Sequence, residues 1–367
     1  MIIFNTIITK KALDRYSITY LLLSFLSGFL ELGIILYALQ EKMPLIIIPI
    51  LGIAYQSGAL FRRPIELPSW LYMAATASGL VIGLMIDRSI GLLVITIFLL
   101  SIGLQGSREL VLKKKYVGTF AKRISRVLGF AFSGVFDLRF LLAVAVIGLI
   151  VMLVIRKDLI GVPVPSFQRN WYAGVLGRTM FIHQSHYFSY AYFIPFLFLN
   201  MSGVSISLVG IFFSIGWISY SIAPLIFPKK YLIQYFSLGH LLASLTIFTI
   251  FSFSNNFWIV LGAWFFSGFG GGTVFYLREI EHSISEKSDL EMWENFGHIF
   301  GLIVSITIIS ISGQPTNLFI IGGTIAVLTA LFLPISMWRS YQQKFEKDRL
   351  FGFISEITLG NRQNRRQ

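Results

Sequence analysis

Of 367 residues 55% are hydrophobic and only 13% charged, and the mean hydropathy is +0.75, which lies outside the range of soluble domains. The absence of cysteine excludes disulfides, thiolate metal sites and cysteine nucleophiles. A net charge of +13 would suggest nucleic acid in a soluble protein, but in a membrane protein the placement of the cations decides what it means.

The start, MIIFNTIITKKALDR, has too short an apolar run before its first basic pair for a cleaved signal peptide, and the first crossing is expected to serve as its own insertion signal. Hydropathy, broken at charges and at Gly, Pro and Asn turns, predicts an all-α integral membrane protein. Its twelve crossings fall at 16–39, 44–61, 69–86, 89–107, 119–136, 138–155, 170–199, 204–227, 231–252, 256–277, 292–312 and 316–338. The fourth and fifth border the strongly basic stretch from Arg108 to Arg126, so a count of ten is the alternative.

Orientation follows from the cations. With the N-terminus inside, twenty-six of the 30 Lys and Arg residues fall on the cytoplasmic side, and only Lys42, Arg88 and Arg139 fall opposite, with Arg178 inside a crossing. This asymmetry explains the basic balance as a topogenic signal, with no nucleic acid as partner. Residues 156–169, RKDLIGVPVPSFQR, read as a cytoplasmic linker between a six-helix half at 1–155 and a second at 170–338. The tail 339–367 sets Phe345, Leu350, Phe351, Ile354 and Ile357 among charges. That pattern suits a helix lying on an inner leaflet of anionic lipid.

The stretch from Arg169 to Asn200, RNWYAGVLGRTMFIHQSHYFSYAYFIPFLFLN, is long enough to cross and yet carries Arg178, His183, Gln184, Ser185 and His186 within it. At about 100° per residue Arg178, Ser185 and Ser189 share a face, flanked by His186, Tyr190 and His183. One side is therefore polar, and it is expected to line an aqueous cavity; packing glue between helices is the alternative. Arg178 would favour a carboxylate or phosphate, which guanidinium grips through two hydrogen bonds, and Ser185, Ser189 and Tyr190 would complete the substrate-binding face. Among the other ionisable residues inside the crossings are Glu31, His240 and His298. Glu31 lies sixteen residues beyond Arg15, as Ser185 lies beyond Arg169, which puts it at the depth of His183 and His186 if the two helices are repeat partners. A desolvated acid facing imidazoles suits proton carriage between the two sides; a carboxylate bonded to a neighbouring Ser or Tyr is the bland reading. A transition metal is the competing use of Glu31, His183 and His186, but Arg178 would repel a cation and no metal is assigned.

The halves echo each other. Arg126 and Gly129 in the fifth crossing match Glu294 and Gly297 in the eleventh, and Ser101, Gly103 and Gly106 in the fourth match Ser267, Gly270 and Gly272 in the tenth. Between crossings two and three stand Gly58, Leu60 and Arg63; Gln105 and Gly106 follow in the fourth, and Gly129 and Gly134 in the fifth. On these residues and on the glycine-rich fourth, fifth, tenth and eleventh helices, the sequence resembles the major facilitator superfamily over almost its whole length. Arg62 occupies the acidic position of that superfamily's G-x-L-x-D-R loop, Ile102 the arginine position of its fourth-helix R-x-x-Q-G, and no proline follows Gly134. Its proton-relay arginine is thus not carried over.

The resemblance implies a secondary transporter rocking two halves about a central site lined by the first and seventh helices. A proton-coupled exporter of a small organic, anionic or amphipathic solute is expected, without a cofactor. It also implies a cytoplasmic gate in which Arg62 and Arg63 meet Glu291 and Glu294, three apart at the start of crossing eleven. An enzyme is the contrasting class. The one acidic loop, residues 278–294, has irregular spacing and no nucleophile motif, so it reads as a solvated connection. Nucleotide-binding patterns are absent, which excludes an ATP-driven pump within this chain.

Overall fold

The computed structural model describes residues 15–61, 67–85, 89–114, 119–135, 138–159, 174–201, 204–226, 231–284 and 290–341. Among these, every regular element is helical: α1 (Arg15–Gln40), α2 (Ile47–Gly58), α3 (Ser69–Gly83), α4 (Ile90–Lys114), α5 (Thr119–Phe132), α6 (Leu138–Leu159), α7 (Val175–Tyr190), α8 (Ile194–Leu199), α9 (Ile206–Ile226), α10 (Leu232–Ser252), α11 (Phe257–Gly271), α12 (Tyr276–Ile284), α13 (Leu290–Ser312) and α14 (Asn317–Tyr341). The 3₁₀ turns Ala191–Phe193 and Gly272–Phe275 join α7 to α8 and α11 to α12, so that the helices lie on the twelve expected segments.

Seven helices are long and apolar enough to cross a bilayer by themselves: Arg15–Gln40, Ile90–Leu112, Ile206–Ile226, Leu232–Ser252, Phe257–Glu281, Leu290–Ser312 and Asn317–Trp338. Three shorter apolar helices, Ile47–Phe61, Ser69–Gly83 and Arg139–Val154, accompany them. Large apolar side chains such as Trp70, Val154, Leu245, Trp258 and Ile311 point outward, as a lipid-facing surface requires and a water-facing one would not tolerate in such number. The chain is a multi-pass membrane protein.

Two boundaries differ from expectation, for one reason. Cutting crossings at charges assumes that charges mark helix ends, yet α4 continues past 107 to Lys114 and carries Arg108 and Glu109 into the interior, 3.9 Å apart. Likewise α12 continues to Ile284, where a loop from residue 278 was expected. Adjacent opposite charges neutralise one another, so the helix need not stop. The linker beyond residue 159 and the tail beyond residue 341 lie outside the described residues.

The chain divides into two compact units, Met1–Arg169 with Tyr192–Ser214, and Asn170–Ala191 with Ile215–Gln367. In the first, α1 and α5 touch backbone to backbone: a Cβ on Gly28 would lie 2.2 Å from the Arg126 carbonyl oxygen, and one on Gly129 would lie 2.2 Å from that of Phe25. Small residues permit such approach between apolar helices, where packing and not water exclusion drives association. In the same unit α3 meets α4 at Gly103, where a Cβ would overlap Thr76. The second unit repeats the scheme. Gly297 and Gly301 seat α13 against the Phe181 and Ser185 carbonyls of α7, and Gly239 and Gly270 seat α10 against α11.

Candidate functional site

In the first unit, the close approach at Gly28 and Gly129 brings Arg126 over Glu31, one turn further along α1. Arg126 Nε donates to Glu31 Oε2 at 3.1 Å, and its Nη2 binds the same oxygen. The other oxygen, Oε1, accepts from Gln56 Nε2 and from Tyr192 Oη, each at 2.9 Å. Gln56 is presented by α2, which Tyr55 ties to α1 through a 2.8 Å bond to the Ser27 carbonyl; Ser101 of α4 in turn bonds the Tyr55 carbonyl. Glu31 is 1% exposed and the Arg126 side chain 23%, so the carboxylate is sealed while the arginine is partly exposed. A buried carboxylate without such partners would cost several kcal/mol; here both oxygens are satisfied and the charge is paired.

In the second unit, His183 and His186, three apart on α7, are met by His240 from α10. The Gly239–Gly270 approach fixes where α10 runs against α11, and so where His240 points. His183 Nδ1 lies 2.7 Å from His240 Nε2, and His240 Nδ1 donates to the Phe236 carbonyl at 2.8 Å. Ring centroids are 5.1 Å apart for His183 and His186, 4.9 Å for His183 and His240, and 5.9 Å for His186 and His240. All three rings are buried. His183 Nε2 and both nitrogens of His186 have no hydrogen-bond partner among the described residues.

The other expected site residues are placed differently. Arg178 stands exposed in the first turn of α7, apart from the imidazoles, where it was expected deep in the crossing. Ser185 and Ser189 are buried, and their hydroxyls bond the Phe181 and His186 carbonyls of their own helix; Ser305 of α13 bonds the Ser189 carbonyl. Their face, expected to line water, is packed against α13. Tyr190 Oη lies 3.0 Å from Ser267 Oγ of α11.

Of the expected gate, Arg62 and Arg63 lie outside the described residues. Glu291 and Glu294 have a cation of their own unit: Arg278 reaches them at 3.1 and 3.6 Å, and Gln184 Nε2 approaches Glu294 at 3.5 Å. The described partners of Glu31 are Arg126, Gln56 and Tyr192. The sequence reading missed Arg126 as a partner by counting it with the basic loop. The signal was available, because Arg126 is followed by Val127, Leu128 and Phe130, too apolar a setting for a surface cation.

By sequence, no family model and no curated protein matches the chain. By structure it is similar to several solved transporters. The nucleoside transporter NupG is 16% identical, with a TM-score of 0.63 over 91% of this chain and 100% of that one. A POT family transporter solved in complex with 5-aminolevulinic acid is 14% identical, with a TM-score of 0.62 over 89% and 96%. The human organic anion transporter MFSD10 is 13% identical, with a TM-score of 0.57 over 87% and 99%. The chain has a major-facilitator-like transporter fold.

Proposed function

We propose that the protein is a proton-coupled secondary transporter of a small organic anion in the cytoplasmic membrane, working by alternating access, with Glu31 as the proton site. In this reading the twelve helical segments are twelve crossings in two six-helix halves, 1–155 and 170–338, with the linker and both termini cytoplasmic. The transporter fold and the small polar solutes named for the similar structures support it.

The observation that carries it is the Glu31–Arg126 pair. A carboxylate held by guanidinium, amide and phenol inside an apolar bundle would let go of these partners by taking a proton. The neutral acid no longer holds Arg126. That guanidinium, whose side chain is partly exposed, can then grip a carboxylate or phosphate of the solute. Proton and anion thus bind together and cross together, so where the sequence led to an expectation of export, the pair favours movement of both in the same direction. Return of the empty carrier requires the proton to leave and the pair to re-form.

The test is uptake by proteoliposomes of a panel of small carboxylates and phosphates, with and without an acid-outside gradient. The wild type should accumulate its solute only with the gradient. Glu31→Gln should lose accumulation yet retain solute exchange, since the amide mimics the protonated acid and cannot release a proton. Full gradient-driven accumulation by Glu31→Gln would remove Glu31 from the coupling.

A further inference from the structure

We propose that His183, His186 and His240 form a binding site for a divalent first-row transition-metal ion, with three imidazole ligands and a fourth position open. The sequence paired His183 and His186 with Glu31 for this chemistry; the structure supplies a third imidazole instead. One ligand nitrogen from each of the three residues lies within 4.8 Å of the others. A tetrahedral ion bound at about 2.0–2.1 Å needs its nitrogens about 3.3 Å apart, so the His183–His240 contact at 2.7 Å must open by about 0.6 Å while the other separations close.

Two further observations point to a ligand. Three imidazole nitrogens, His183 Nε2 and both of His186, are fully buried with no partner among the described residues. An unsatisfied polar group in such a place costs about 1–3 kcal/mol, and an ion, which takes one nitrogen from each ring, relieves that cost at His186. The Phe236 carbonyl fixes the His240 tautomer with its proton on Nδ1, which aims the Nε2 lone pair into the cluster, as the outer contacts of metal-bound imidazoles do.

The donor set selects the ion. Imidazole suits zinc, copper, nickel and cobalt, whereas calcium and magnesium need oxygen donors that the cluster does not offer. With no carboxylate among its ligands, the ion keeps its full charge. The open position therefore takes an anion such as hydroxide, chloride or a solute carboxylate.

The experiment uses the full chain without a histidine tag, purified in detergent and stripped with chelator, and titrated with Zn²⁺ against a chromophoric chelator. One ion per chain is expected. His186→Gln and His240→Gln should each weaken binding at least about a hundredfold, since losing a ligand costs more than losing its outer partner. His282→Gln should bind like the wild type. Because buried variants can misfold, the wild type is also loaded with Cu²⁺ and the nitrogen couplings are read by pulsed electron paramagnetic resonance. Couplings from two or more imidazoles support the site. No one-to-one uptake by the wild type, fewer than two imidazoles, or unchanged affinity when all three histidines are replaced by glutamine would each overturn it.

Discussion

On α1 the carboxylate of Glu31 is saturated, with Arg126 on one oxygen and Gln56 and Tyr192 on the other. On α7, seated against α13 much as α1 is seated against α5, the imidazoles of His183 and His186 are buried as deeply and leave three nitrogens without a partner among the described residues. The backbone scheme is shared and the chemistry is not. The glycine contacts therefore act as a frame that fixes helix spacing in both units and leaves the polar positions free to diverge. Where a fixed charge is present, a partner had to be supplied. An imidazole is neutral without one, and can wait for a ligand.

The largest effect should come from breaking the saturated side. Arg126→Leu leaves the Glu31 charge buried with only neutral donors, and should destabilise the protein by about 3–5 kcal/mol. Adding Glu31→Gln removes the stranded charge and should recover much of that loss. Thermal unfolding of the purified variants checks this; losses that simply add would mean that the two residues are not coupled.

Next in size is the frame itself. Gly129→Ala places a methyl 2.2 Å from the Phe25 carbonyl oxygen, where no rotamer change relieves it, and should cost about 1–3 kcal/mol through forced helix separation. Gly262→Ala, which meets nothing within 4 Å, is the matched control and should be neutral or slightly stabilising. Equal losses at both positions would mean that glycine acts here through backbone freedom and not through close approach.

How much of this was readable beforehand divides along the same line. The apolar helices were legible because lipid imposes one rule on any crossing, and Glu31 stood out as a lone acid in the apolar run of α1. Arg126 did not, since a cation beside Lys122 and Arg123 reads as an orientation signal until tertiary packing shows which face it turns inward. His240 was visible only as an isolated polar residue. Its meaning depends on α10 passing beside α7, and no local pattern records that. Ser185 and Ser189 show the reverse error: a polar stripe on a helix looks the same whether it lines water or bonds its own carbonyls.

The unsaturated side should respond with the opposite sign to the saturated one. His186→Leu removes two unpartnered nitrogens at similar volume, and in chelator it should leave stability unchanged or raise it by about 1 kcal/mol. A loss as large as that of Arg126→Leu would show that His186 has partners after all, and would erase the contrast between α1 and α7.

The smallest effect tests whether exposure explains the contrast. Arg278 holds Glu291 and Glu294, but its side chain is 42% exposed, against 23% for Arg126, and the two acids are 14% and 21% exposed against 1% for Glu31. Water can therefore replace much of what Arg278 provides. Two forces act in opposite directions when it is lost: Glu291 and Glu294, three apart on α13, are left to repel each other, while a long side chain regains its freedom. The near balance of these terms puts Arg278→Ala at no more than about 1 kcal/mol of destabilisation, shrinking as ionic strength rises because exposed charges are screened. Arg126→Leu should show no such salt dependence. Melting temperatures of both variants across a series of salt concentrations decide the matter, and a salt-insensitive loss in Arg278→Ala matching that of Arg126→Leu would mean that burial is not what separates the two ion pairs.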